Sequence, residues 1–231
     1  MRLKSPSPYA SLKSTWPDGV MTLFFQNFWH IVGQDVTNAV LDCLHFGKML
    51  RSINFTHIVL IPKMTSPYCM TQFHPINLCN MVYRIVSKVL ANRFKNVFPY
   101  VISDNQSASV PGCLITDNVL LAFEVLHYMK NKRRGKIAHM AIKLHMSKAF
   151  DRVEWDYLKQ MMLKLRFLER WVALIMECIS SVTYSVMLNG EPKGYIKPSK
   201  ELRQGDPLSP YLFLICAKGL TALIKQAEKY W

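Results

Sequence analysis

Apolar positions recur at helical spacing in some stretches of the chain and alternate in short runs in others. Between residues 21 and 50 the apolar set is Phe24, Phe25, Phe28, Trp29, Val32, Val36, Val40, Leu41 and Leu44. That period predicts one or two amphipathic helices, with Gly33 a candidate interruption. "THIVLIPK" is a β-branched run stopped by Pro62, which predicts a strand entering a loop. From residue 78 to 97, Leu78, Met81, Val82, Ile85, Val89 and Val97 return at helical spacing, while Arg84, Lys88, Arg93 and Lys95 give the helix a basic face.

After a turn at Gly112, Thr116 is placed to cap a helix running to about Lys130, and the basic loop "NKRRGK" follows. "KIAHMAIKLH" predicts a strand, and "RVEWDYLKQMMLKL" a helix with Trp155, Leu158, Met162 and Leu165 on one side. Its methionines suit core packing. The alternation Val182, Tyr184, Val186, Leu188 up to Asn189-Gly190 is a hairpin signal. After the loop "LRQGDPLSP", Ser209 and Pro210 form an N-cap and N1 pair for a last helix from Tyr211. Strands and helices interleave with no repeat or low-complexity linker, which predicts an α/β or α+β fold.

Half of the 231 residues are hydrophobic, enough for a sizeable core. Charge sharpens the picture: 29 Lys plus Arg face 15 Asp plus Glu, a formal net charge of +14. Such an excess predicts a polyanionic partner, nucleic acid first and an acidic membrane surface second. The longest apolar runs, such as "YLFLICA", are far shorter than the ~20 residues of a spanning helix. The amino terminus lacks the apolar core of a secretory signal, so the expectation is an intracellular protein, in nucleus or cytoplasm, with no membrane partner. The six cysteines are scattered without zinc-type spacing and are read as reduced thiols. The basic helix face and the loop with Lys132, Arg133 and Arg134 are candidate phosphate contacts, with plain solvation of a charged face as the alternative.

The candidate chemistry sits in "AIKLHMSKAFDRVEW". His145 ends the apolar run, and Phe150, Asp151 and Arg152 follow. A carboxylate at position 145 would complete a pair of aspartates with five residues between them, one at a strand tip and one at a helix mouth, suited to a hard cation such as Mg²⁺. Imidazole is not.

Five segments occur in a family's order: "PDG" with "FFQNFWHIVGQDV", "THIVLIPK" with "FHPINLCNMVYRIVSKVLANR", "NQSASVPGCLITDN", "KLHMSKAFDRVEW" and "LRQGDPLSPYLF". Together they resemble the reverse transcriptase domain of plant LINE-type non-LTR retrotransposons, from about Lys13 onward. The resemblance implies a right-hand polymerase that extends a DNA primer on an RNA template with two Mg²⁺ ions. Residues 1–12 are then a disordered leader, 13–135 mainly fingers with the helices that precede them, and 136–231 a partial palm with motifs A and B. The later palm strands and the thumb are expected to be missing, which makes the chain a truncated copy. By the same resemblance Lys63 falls on a fingers position that favours triphosphate and template, and Phe150 on the aromatic that screens the sugar 2′-hydroxyl. Gln204 and Gly205 fall on the motif B turn.

Three positions depart from the family pattern. His145 stands where the metal-binding aspartate belongs, His74 where an arginine does, and Cys113 in place of another arginine. No two aspartates are adjacent, so the Ala-Asp-Asp hairpin of motif C has no counterpart in these 231 residues. A transition-metal role for His145 lacks partners at ligand spacing, and Asp151 is read as the N-cap of the next helix rather than a ligand. The expectation is a remnant without polymerase activity and without a bound cofactor. It either binds nucleic acid nonspecifically or has no function. Residues 140–144 are expected to form a strand beside the hairpin at 182–188, with an exposed edge or apolar face.

Overall fold

The computed structural model describes residues 16–20, 22–102, 106, 114–132 and 139–230. The first helices are α1 (Thr22–Asn27) and α2 (Trp29–Phe46). They break at Phe28, not at Gly33, which lies buried inside α2. A Cβ at Gly33 would stand 2.9 Å from the Trp29 ring, so glycine is what lets that indole fold back along the helix.

Strand β1 (Phe55–Pro62) pairs antiparallel with β2 (Phe73–Cys79), with Ile61 opposite His74. β1 then pairs parallel with β3 (Thr183–Leu188), which turns through Asn189 and Gly190 into antiparallel β4 (Glu191–Ile196). Both turn residues have positive φ, 54° and 84°, as the Asn-Gly pair demands. The sheet order is β2-β1-β3-β4. β2 escaped sequence detection because Pro75 interrupts its pattern. At a sheet edge the missing N–H costs no ladder bond.

Residues 140–144 form no strand, contrary to expectation. The two edges of β3 are already taken by β1 and β4, so no hydrogen-bonding row is open beside 182–188. Met140, Ile142 and Leu144 stand 80%, 69% and 62% exposed, so an apolar surface is indeed presented, from an extended segment outside the sheet.

The core lies where α3 (Met81–Val101), α5 (Trp155–Lys164), α6 (Glu169–Ser180) and α7 (Ser209–Ala227) meet. On α3 the buried stripe is Tyr83, Val86, Leu90, Phe94 and Phe98, one step round from the aliphatic set read in the sequence, and Val97 is exposed. Volume explains the shift: the three aromatics bury more apolar area than the valines would. Phe98 meets the Tyr211 ring edge-on at 5.0 Å, which ties α3 to α7. Met162 is fully buried core, as expected.

Helix starts differ from the sequence expectations in three places. α4 (Ile115–Asn131) begins before Thr116, because Asp117 in its first turn accepts the Leu114 N–H at 3.2 Å. α5 is capped at Glu154, not Asp151, since 150–152 form a tight 3₁₀ turn first. α7 starts at Ser209, with Leu208 as N-cap. No helix among the described residues is long and apolar enough to cross a membrane. The mixed α/β architecture agrees with the expected fold class and is consistent with partial fingers and palm.

Candidate functional site

The loop 201–208 is built around a buried charge pair. Arg203 donates to Asn54 Oδ1 and to the Cys178 carbonyl, each at 2.6 Å, and to Thr56 Oγ1 at 3.3 Å. Its Nε lies 3.9 Å from Asp206 Oδ2. Asp206 in turn accepts the Tyr83 hydroxyl at 2.6 Å, the Leu208 N–H at 3.0 Å and the Ser87 hydroxyl. Burial pushes the Tyr83 hydroxyl well above its ordinary pKa, which keeps it a donor. Arg203 and Asp206 are nearly free of solvent, so the pair is compensated on both sides.

With 203 and 206 anchored inward, the two residues between them face out. Gly205 is exposed at φ +87°, a conformation that side chains resist. Gln204 is half-buried and donates to Asp151 Oδ1 at 3.3 Å. Backbone hydrogen bonds then join this loop to the segment after His145. Leu202 N–H donates to the Phe150 carbonyl and Glu201 N–H to the Val153 carbonyl, both at 2.9 Å, while Trp155 Nε1 donates to the Glu201 carbonyl at 2.8 Å. Phe150 packs on Phe213 with ring centres 5.3 Å apart. Glu201 carries strain at φ 108°, and burial, reinforced by the Asp151 charge, raises its carboxyl above the ordinary range.

Phe150, Asp151, Gln204 and Gly205 are therefore brought together. His145 is exposed at the rim of a cleft of about 470 Å³, lined also by Arg152, Tyr157, Phe213 and Cys216. Burial pushes the Cys216 thiol up to about 12. Among the described residues no three His, Cys, Asp or Glu side chains gather as a cation site. The donor set does not fit Mg²⁺: position 145 offers imidazole nitrogen, and the Asp151 carboxylate is already hydrogen-bonded to Gln204.

Lys63 and His74 lie apart from those cross-links, exposed at the two sides of the β1–β2 hairpin. Lys63 Nζ donates to the Thr71 carbonyl at 3.2 Å. On α3, Arg84, Lys88, Arg93 and Lys95 are all exposed. At about 100° per residue, Arg84, Lys88 and Lys95 share one flank and Arg93 lies on the other. The Arg84 guanidinium sits 5.8 Å over the Trp16 ring. Lys132 is half-buried beside His139, and Arg133, Arg134 and Cys113 lie outside the described residues.

Sequence inspection missed Arg203, Asp206, Tyr83, Ser87 and Asn54. The available signal was an i, i+3 charge pair bracketed by Leu202 and Leu208, apolar neighbours that pull a loop inward. It also missed that residues 43–103 contain no Asp or Glu, while Lys48, Arg51, Lys63, Arg84, Lys88, Arg93 and Lys95 fall there.

Residues 61–231 match the family model described as "Reverse transcriptase (RNA-dependent DNA polymerase)". The chain is 29% identical over 214 residues to a Xenopus laevis protein called "Transposon TX1 uncharacterized 149 kDa protein", covering 93% of this chain and 16% of that one. It is 27% identical over 203 residues to the "Retrovirus-related Pol polyprotein from type-1 retrotransposable element R2" of Nasonia vitripennis, covering 85% of this chain and 18% of that protein. A 43-residue stretch is 51% identical to the "Uncharacterized mitochondrial protein AtMg01250" of Arabidopsis thaliana, covering 19% of this chain and 35% of that one. The chain thus spans less than a fifth of the two transposon-encoded relatives.

Proposed function

We propose that this chain, which belongs to the reverse transcriptase (RNA-dependent DNA polymerase) family, is a degenerate segment of a LINE-type retrotransposon polymerase that holds nucleic acid but does not polymerise. Retrotransposon relatives support the element class, and the short Arabidopsis match supports a plant source. In this proposal 13–135 serve as fingers and 136–231 as part of a palm, in an intracellular protein.

The observation that carries the loss of chemistry is His145. It precedes Phe150 and Asp151 at the position of the family's metal-binding aspartate, and an imidazole offers nitrogen where Mg²⁺ would take a carboxylate oxygen. His74 lacks the guanidinium fork that grips phosphate in two places. Around these losses the scaffold persists, with Phe150, Gln204 and Gly205 held together as a nucleotide-pocket remnant. The acid-free run 43–103 supplies the electrostatic partner for a phosphate backbone.

The test is anisotropy of a labelled DNA primer annealed to RNA, titrated with protein at rising salt. Affinity falls linearly with the logarithm of salt concentration and does not distinguish a designed hairpin from scrambled RNA. Binding unchanged by salt, or selective for one sequence, contradicts the proposal, as does absence of binding at low salt.

A further inference from the structure

The loop joining β1 to β2 presents its aromatic outward on a braced frame. Tyr68 is 87% exposed, and Met70 and Met64 of the same loop are 69% and 50% exposed. The frame is not slack. Gln72 Oε1 accepts the N–H of Tyr68 at 2.8 Å and that of Cys69 at 3.4 Å. The Lys63 N–H closes the loop on the Gln72 carbonyl at 2.8 Å, and the Lys63 ammonium holds the Thr71 carbonyl. A backbone braced this way loses little freedom when something docks on the ring that it carries.

We infer that this hairpin tip is a stacking platform for an unpaired base of single-stranded nucleic acid, with the Tyr68 ring as the stacking surface. The inference rests on the nucleic-acid binding proposed above and names the contact that recognises bases. The partner's chemistry follows from two features found together. The exposed Tyr68 ring offers a flat apolar face, which any base can cover. The stretch that contains it, residues 43–103, carries seven basic and no acidic side chains (Lys48, Arg51, Lys63, Arg84, Lys88, Arg93 and Lys95), and Lys63 lies in the loop itself, a charge balance that suits a phosphate backbone. An anionic lipid surface shares the charge requirement. It is the poorer fit, because one tyrosine and two methionines bury little area in a membrane.

The experiment compares three ligands by anisotropy: a labelled oligo(dT), an abasic strand of equal length and charge, and vesicles containing phosphatidylserine. Wild type is set against Tyr68→Ala and Tyr68→Trp. Tyr68→Ala weakens oligo(dT) binding roughly tenfold and leaves the abasic strand unchanged. Tyr68→Trp restores affinity, and its added emission is quenched on oligo(dT) alone. Because Tyr68 is exposed, the melting temperature of both variants matches wild type. Equal affinities of wild type and Tyr68→Ala for oligo(dT) overturn the inference while leaving electrostatic binding intact. So does a parallel loss on the abasic strand, or a loss confined to vesicles. Failure of wild type to bind any strand overturns both the inference and the function it rests on.

Discussion

The Arg203 guanidinium lies 3.8 Å from the centre of the Tyr83 ring, and the hydroxyl of that tyrosine donates to Asp206, three residues after the arginine. One side chain of α3 therefore touches both ends of the turn that presents Gln204 and Gly205. The turn's shape is set by the core, not by solvent.

Removing one half of that pair isolates the other in a dry place. Asp206→Ala is expected to cost about 3 kcal/mol, since breaking a buried pair leaves an uncompensated charge. The Glu191 and Lys193 pair lies 2.6 Å apart on the surface and is largely exposed, so Lys193→Ala is expected to leave the urea midpoint nearly unchanged. Urea melts of the two variants check the contrast. Similar midpoints would contradict the buried arrangement.

Gly205 has open space where a Cβ would stand, so only its backbone angle resists substitution. Gly205→Ala is expected to lower stability by about 1 to 2 kcal/mol, and Gly205→Asn by less, because asparagine tolerates positive φ. Thermal melts measure the order. Equal stability of Gly205→Ala and wild type would mean that the turn relaxes.

Stability is expected to fall in alkali. Burial pushes the Cys178 thiol from 9.0 up to about 12. The unfolded chain therefore ionises first, and the contribution present below pH 9 is lost between about 9 and 12. The urea midpoint should drop from pH 8 to pH 10.5, and less steeply in Cys178→Ala. A midpoint that rises over that range contradicts the sign.

Much of the fold was legible from period alone. The Asn189-Gly190 hairpin, α2 and α5 follow from turn chemistry and apolar spacing. What escaped has physical causes. The run at 140–144 has strand chemistry, yet pairing needs a free ladder, and β3 has none. Asp151 looked like a cap because sequence shows a carboxylate before a helix, not the Gln204 amide that claims it from across the loop. The inward pull on Arg203 depends on Asn54 and the Cys178 carbonyl, distant in sequence and invisible to local spacing.

Electrostatic binding should report the geometry of α3. Replacing Arg84, Lys88 and Lys95 with alanine is expected to reduce the slope of log affinity against log salt by about 2 to 3, near 0.9 per phosphate contact. Arg93→Ala, on the other flank, should change it by far less than the ~0.9 of one phosphate contact. A larger effect from Arg93 alone would place the strand on the opposite side of the helix.

Primer extension tests the loss of chemistry most directly. A labelled DNA primer on an RNA template is incubated with Mg²⁺ and then Mn²⁺, at a salt concentration where binding is established. Wild type, His145→Asp, and His145→Asp fused to the aspartate-bearing palm and thumb of a relative are compared. One restored carboxylate supplies part of a two-metal site, and each ~1.4 kcal/mol of barrier left unrelieved is tenfold in rate. The expected result is no product from wild type or from His145→Asp, and product from the fusion. Extension by either unfused protein above a heat-killed control would contradict the proposal that this chain holds nucleic acid without copying it.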